Sequence, residues 1–258
     1  MKLATWNINS IRPRMPVLTD WLLRRQPDVL GVQETKVADE LFPAQALADI
    51  GYSSVFVGGK SYNGVALISK VPASDVRIEY PLADNPEPRL ISAVFDGVRV
   101  YCAYFPNGRD PESPHFQTKI AWINALGALI FADSALEGGP GPIALLGDFN
   151  VAPEPRDVYD PVALEGHILY HPDERAALER LRARGFVDAF RCCRDEAGLY
   201  SWWDYRQGSF RRNLGLRIDH VWTTPDLAKR AVSAFIDTDE RGKPSPSDHA
   251  PVVLELGV

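Results

Sequence analysis

Five short polar clusters adjoin apolar runs in this chain. Asn7 and Asn9 follow Leu3-Ala4-Thr5-Trp6, Gln33 and Glu34 follow Val29-Leu30-Gly31-Val32, and Asp148 and Asn150 follow Ile143-Ala144-Leu145-Leu146-Gly147. Arg217-Ile218-Asp219-His220 opens another apolar run, and Ser247-Asp248-His249 precedes Pro251-Val252-Val253-Leu254. Taken singly, each is ordinary: an Asp or Asn after a strand is usually a turn former or a helix cap. Five at once point to a shared site, because ligand and catalytic groups of sheet proteins gather where loops meet strand ends. Carboxylates and amides dominate the set. There is no Gly-rich phosphate loop, no Gly-x-Ser-x-Gly elbow and no Cys or His cluster with zinc spacing. Hard oxygen ligands suit Mg²⁺, with Mn²⁺ able to substitute. A hard divalent ion, a histidine oriented by an aspartate and a carboxylate able to activate water together point to hydrolysis of a phosphodiester or phosphomonoester.

The elements that must position these groups are legible from periodicity. Residues 3–8, 29–32, 52–57, 65–69, 91–95, 98–104, 143–146, 218–222, 232–236 and 252–256 read as strands, and Asp96-Gly97 is a two-residue hairpin signal. A helix is expected over residues 15–22, with Pro16 in its first turn, Val17, Leu18, Trp21 and Leu22 as one stripe, and Gln26-Pro27 as its end. Longer helices are expected near 115–132 and 172–184. About ten strands joined by hairpins as well as helical crossovers do not describe a doubly wound parallel sheet. They describe an α/β (α+β) fold, a four-layered sandwich of two mixed, mainly antiparallel sheets packed face to face with helices outside. No repeat, low-complexity tract or charge block interrupts the chain, so residues 1–258 are read as a single domain.

At 258 residues, 45% hydrophobic and 24% charged, the composition is that of an ordinary globular protein, not a disordered or fibrous one. With 34 acidic against 28 basic residues the net charge is −6, which argues against coating nucleic acid through bulk attraction. The start lacks a signal-peptide pattern and no stretch approaches the ~18 apolar residues of a membrane span, so a soluble, cytoplasmic protein is expected. Three cysteines, two of them adjacent, make no disulfide framework and are read as reduced.

Several longer motifs resemble the exonuclease III family of DNA-repair nucleases, in its bacterial form, within the endonuclease/exonuclease/phosphatase superfamily. They are Thr5-Trp6-Asn7-Ile8-Asn9-Ser10-Ile11-Arg12, Gln33-Glu34-Thr35-Lys36, Tyr62-Asn63-Gly64-Val65-Ala66 and Tyr104-Phe105-Pro106-Asn107-Gly108. Gly147-Asp148-Phe149-Asn150, Ser201-Trp202-Trp203-Asp204-Tyr205-Arg206, Gly215-Leu216-Arg217-Ile218-Asp219 and Ser247-Asp248-His249-Ala250-Pro251 complete the set, which spans essentially the whole chain. The strand-end elements are shared by the entire superfamily. The Trp-rich block and Gly-Leu-Arg-Ile-Asp are narrower and favour the DNA-repair branch over lipid and inositol phosphatases.

The resemblance implies a role for each matching position. Glu34 would be the principal metal ligand, with Asn7 nearby and Asp248 as a further or alternative one. Asp148 would orient or deprotonate the attacking water, with Asn150 as its partner. His249 would touch a phosphate oxygen, oriented by Asp219, and Tyr104 would bind the phosphate or steady the leaving group. Trp202, Leu216 and Ile218 would wall an apolar pocket for a flipped-out, baseless deoxyribose. Alternation allows at most one of Trp202 and Trp203 to face it. Leu216 stands where some animal relatives carry tryptophan, which loosens the pocket. Arg12, Tyr62, Asn63, Arg206, Arg211 and Arg212 would touch DNA, with Arg14, Lys36, Lys60 and Arg217 adding to a local basic rim. Asp157 and Asp160 are read as lying near the site.

The leading expectation is a Mg²⁺-dependent monomer that cuts duplex DNA 5′ to abasic sites and trims 3′ ends, without a nucleotide cofactor or a membrane partner. A small-molecule or lipid phosphoesterase on the same scaffold keeps the five clusters but leaves Trp202 and the arginines unexplained. A DNA-end-binding module with a decayed site is disfavoured, because every expected catalytic position is filled.

Overall fold

Each sheet is built around one parallel pair of strands, and those two pairs place the site. The computed structural model describes residues 1–59, 62–84, 86–132 and 141–257; Lys60 lies outside them. The first parallel pair is β1 (Lys2–Asn7) and β2 (Val29–Gln33), in register from Leu3↔Val29 to Asn7↔Gln33. A parallel pair needs a crossover, and α1 (Ile11–Arg25) supplies it. After α2 (Ala44–Ala48), strands β3 (Ser53–Val57) and β4 (Val65–Ser69) extend this sheet on the β2 side.

In the second sheet, β5 (Ser74–Ile78), β6 (Leu90–Phe95) and β7 (Val98–Tyr104) form a meander, and α3 (Pro114–Ile130) crosses over to β8 (Ile143–Asp148), parallel to β7. α4 (Pro172–Ala183), β9 (Val187–Asp188), α5 (Ala189–Cys193) and β10 (Asp219–Thr223) follow, with β10 antiparallel to β8. The chain then returns to the first sheet through α6 (Pro225–Ala228), β11 (Ala231–Ile236) and β12 (Val252–Leu256). The sheet orders are β11-β12-β1-β2-β4-β3 and β5-β6-β7-β8-β10-β9.

Alternating side chains divide between layers. Leu3, Val29 and Leu67 of one sheet meet Val100, Cys102 and Leu146 of the other in the central core. Trp6, Leu30 and Val32 point outward under Leu18, Trp21 and Leu22 of α1, while Leu145 and Trp222 point outward under Trp122, Leu126 and Leu178 of α3 and α4. This is the four-layered sandwich expected from the sequence. The sheets approach closely at Gly31, where an added Cβ would lie 3.2 Å from Cys102 Sγ. Asp96 and Gly97 both have positive φ (48° and 79°), as a type I′ hairpin requires. The three cysteines are free. No described helix is long and apolar enough to cross a membrane.

α1 and β5 depart from expectation, and β9 and the short helices α2, α5 and α6 were not expected either. α1 starts at Ile11, not near residue 15, and carries Pro16 in its interior. Its first amides find acceptors outside the helix, Ser10 N at Glu34 O (2.7 Å) and Ile11 N at Thr35 O (3.0 Å), so no side-chain cap was there to be read. β5 was not foreseen, because Ser74-Asp75-Val76-Arg77-Ile78 is an exposed edge strand with little apolar signal.

Candidate active site

The carboxyl ends of the two parallel pairs converge, and strand pairing sets the row of polar groups there. Tyr104 on β7 and Asp219 on β10 are both the register partners of Asp148 on β8. From the facing sheet, Asn7 closes β1, and Glu34 follows β2. Glu34 (φ 53°) and Asn150 (φ 51°) both take the left-handed conformation just after their strands, a costly geometry that persists where the surroundings over-determine it.

Asn7 links the two halves. Its Nδ2 donates to Glu34 Oε1 and to Asp148 Oδ2, each at 2.9 Å. Tyr104 also donates to Glu34 Oε1 (2.8 Å), and the Lys36 ammonium sits 2.6 Å from Glu34 Oε2. Burial pushes the Glu34 carboxyl up, but the Asn7 amide and the Lys36 ammonium outweigh it and hold the group below its ordinary range. Burial, with the negative charges of Glu34 and Asp148, drives the Tyr104 phenol far up, so it stays a donor.

Across from Glu34, His249 Nδ1 meets Asp219 Oδ2 at 2.8 Å, and its Nε2 lies 3.9 Å from Asp148 Oδ2. Burial disfavours the charged ring, yet Asp219 and Asp148 together raise His249 well above its ordinary value, so it is an imidazolium at neutral pH. Asp148 is raised chiefly by burial; the His249 charge pulls it down while Asp219 and Glu34 push it up. Asn150 supports Asp148 from its own loop, N to Oδ1 at 2.9 Å and Nδ2 to Oδ2 at 3.3 Å. Asp248 accepts from Asn9 Nδ2 (2.9 Å) and from the Trp202 indole (3.0 Å).

Asp148, Asp219 and His249 present ligand atoms within 4.8 Å of one another. A protonated ring already committed to Asp219 is nevertheless a poor cation ligand, and the trio reads better as an ion-paired unit. The Glu34 side fits a hard cation better: its carboxylate is ionised, and an ammonium already stands against Oε2. Buried Asp219 Oδ1 has no hydrogen-bond partner among the described residues.

Beside this cluster lies a cavity of about 450 Å³, lined by Trp202, Leu216, Leu164, Ile168, His167 and Arg206, among others. Trp202 is half-buried and lines it, while Trp203 is buried against Tyr200 and Ala250, so one tryptophan of the pair faces the cavity. Ile218 does not line it. It is buried in the apolar cluster that also holds Leu216, packed with Ala152, Val158, Leu169 and Tyr170. His167, which the sequence reading passed over, does line it; no motif or periodicity marked it.

The cations are less uniform than a rim implies. Arg12, Arg211 and Arg212 are exposed, Tyr62 is 74% exposed, and Asn63 (φ 64°) turns the chain so that its carbonyl accepts from Lys36 N. Arg206 is exposed but paired with Asp204. Arg14 is spent on Asn9 O, Tyr205 and Pro246 O. Arg217 is no rim residue: it is completely buried, with Asp157 and Asp188 as counter-charges. Asp157 is therefore structural, and Asp160 caps a turn at Ala163 N.

Comparison with known proteins agrees with this geometry. Residues 4–249 match the Endonuclease/Exonuclease/phosphatase family. The chain is 35% identical to exodeoxyribonuclease III of Haemophilus influenzae, over 99% of this chain and all of that one. Among solved structures, the 3′ phosphatase NExo from Neisseria, bound to a product DNA hairpin, matches with TM-score 0.96 and 39% identity, covering both chains completely. An AP endonuclease from Archaeoglobus fulgidus matches with TM-score 0.94 and 37% identity, again over both whole chains. On the family match and the full-length relative, the chain belongs to the endonuclease/exonuclease/phosphatase family, in its exonuclease III branch, and is a hydrolase of the nuclease type.

Proposed function

We propose that the protein is a Mg²⁺-dependent phosphodiesterase of DNA repair that acts as a monomer on duplex DNA, incising 5′ to abasic sites and trimming or cleaning 3′ ends. The observation that carries the reading is the buried His249 ring, held by Asp219 and facing Asp148, with Asn7 tying Asp148 to Glu34, beside a cavity walled by Trp202 and Leu216. A baseless sugar fits an apolar wall of Trp202 and Leu216, and an abasic position is cheap to extrude from a duplex. The −6 charge is compatible with a small contact patch.

Each group has a task. Glu34, with Asn7 and Asp248 nearby, would hold the ion; a bound Mg²⁺ supplies charge neutralisation at the scissile phosphate. Asp148 takes the proton of the attacking water, and Asn150 steadies that water and the phosphate. The His249 imidazolium donates to a phosphate oxygen as negative charge grows. Tyr104, kept protonated, donates to the phosphate or the leaving oxygen. Arg12, Tyr62, Asn63, Arg206, Arg211 and Arg212 supply exposed contacts beyond the reacting centre.

A duplex with one abasic site, incubated with Mg²⁺, is expected to be nicked 5′ to the lesion, and a 3′-phosphate-ended duplex to be dephosphorylated; EDTA stops both. Absence of every metal-dependent cleavage product would refute the reading. The indole of Trp202 also ties the cavity wall to Asp248. Trp202→Phe keeps the wall but removes a donor from that carboxylate, and Mg²⁺ affinity measured by calorimetry is expected to fall by about 10-fold. Unchanged affinity would remove Asp248 from the ion's surroundings.

A further inference from the structure

Lys119 of α3 is fully buried, in the layer where Phe116, Trp122, Ile123 and Leu126 pack on the second sheet. An ammonium there must satisfy its three donors or bear a large desolvation cost. It has three acceptors: the Glu174 carboxylate of α4, the carbonyl oxygen of Asn107 at 3.1 Å and the carbonyl oxygen of Asn150 at 2.6 Å. The other oxygen of Glu174 accepts from His171 N at 3.0 Å. A staple between two helices would need only the carboxylate. The two carbonyls belong instead to the loops that leave β7 and β8, the strands carrying Tyr104 and Asp148.

Those loops are joined on their other side as well. Asn107 Nδ2 donates to Asn150 Oδ1 (3.1 Å), and Asn150 Nδ2 donates to Phe105 O (3.0 Å) and reaches Asp148 Oδ2 (3.3 Å). Asn150 holds a left-handed φ of 51°, a conformation that in a non-glycine residue needs external support. One ammonium thus grips the backbone beneath two linked side-chain amides, of which that of Asn150 reaches Asp148.

We propose that Lys119, with Glu174 as its counter-ion, is a positioning residue: its ammonium fixes the Asn107 and Asn150 carbonyls and so holds the Asn107–Asn150 amide pair, with Asn150 aimed at Asp148 and the substrate phosphate. This deepens the proposed function and rests on it. A misplacement of about 1 Å at such a centre can cost about 100-fold in rate.

The test is the double variant Lys119→Met with Glu174→Met, which leaves no unpaired charge in the layer. Single-turnover cleavage of abasic duplex is expected to slow by about 100-fold, with KM within about threefold of the parent. Amide hydrogen exchange is expected to quicken at residues 105–110 and 148–152 but not in β1, β2 or β12. Lys119→Arg, which keeps the charge and the donors, is expected to recover most of the rate and serves as the second variant should the double variant not fold. A double variant with a rate within about twofold of the parent, or with unaltered exchange in both loops, overturns the proposal. So does a Lys119→Arg variant as slow as the double variant. A parent enzyme that cuts no DNA overturns the proposed function instead, and the exchange measurement still decides whether Lys119 holds the loops.

Discussion

Asp148→Asn is expected to lower the rate of DNA cleavage by at least about 10³-fold at saturating Mg²⁺, with thermal unfolding little changed. The carboxylate is buried and accepts from Asn7 Nδ2, Asn150 N and Asn150 Nδ2. An asparagine there cannot take a proton from water, and its NH₂ must face donors that expect an acceptor. The pH dependence sharpens the expectation. Burial, helped by Asp219 and Glu34 against the opposing charge of His249, holds the Asp148 carboxyl above its ordinary range. The base is active only when ionised, so the rate should rise with pH along a limb displaced upward from ordinary carboxylate titration. A bound cation favours the ionised form, so raising Mg²⁺ should move that limb to lower pH. Cleavage assays across pH at two Mg²⁺ concentrations, on parent and variant, read both effects. A variant within about tenfold of the parent, or an unmoved limb, would show that another group accepts the proton.

What the sequence made legible divides along physical lines. Near-continuous apolar runs located β1, β2, β4, β7, β8 and β12, because strands buried on both faces read as such segments. The polar clusters adjoining five apolar runs marked the site by occurring together, since any one of them alone reads as a turn or a cap. β5 and β9 escaped because an exposed edge strand and a two-residue strand carry almost no such signal. Asp148, Asp219 and His249 were found together, but their register, Asp219↔Asp148 beside Tyr104↔Asp148, comes from pairing between distant segments. Charges were read least well. Arg217 and Lys119 look in sequence like any other cations, and only the assembled fold shows that both are buried, one against Asp157 and Asp188 and the other beneath Asn150.

Arg217→Met carries the largest expected effect on stability. The guanidinium gives Nε to Asp157 Oδ1 at 2.7 Å and Nη2 to Asp157 Oδ2 at 3.2 Å and Asp188 Oδ2 at 2.8 Å. Its Nη1 lies 3.0 Å from His220 Nδ1, while His220 Nε2 meets Val151 O at 3.0 Å. A carbonyl can only accept, so the ring carries its proton on Nε2 and accepts from Arg217 on Nδ1. Removing one member leaves buried charges uncompensated, a loss of about 3–5 kcal/mol in urea unfolding at pH 7.5. The acid side of the profile follows from the same contacts. Burial pushes Asp157 up, but Arg217 and Arg191 bring it down to about 2 from 3.8, so its contribution is lost only as pH falls through that interval. Burial, reinforced by Arg217, lowers His220 from 6.5 to about 4. Between those values the unfolded chain binds a proton that the native state refuses, so stability falls with pH at up to about 1.4 kcal/mol per unit. Without Arg217 the ring loses a repelling charge and protonates more readily in the native state. The variant should therefore be less stable at neutral pH yet decline less steeply from pH 6.5 to pH 4. Urea midpoints at pH 7.5, 6.5 and 5 measure both quantities, and a steeper decline in the variant would contradict the assigned ring tautomer and its coupling to Arg217.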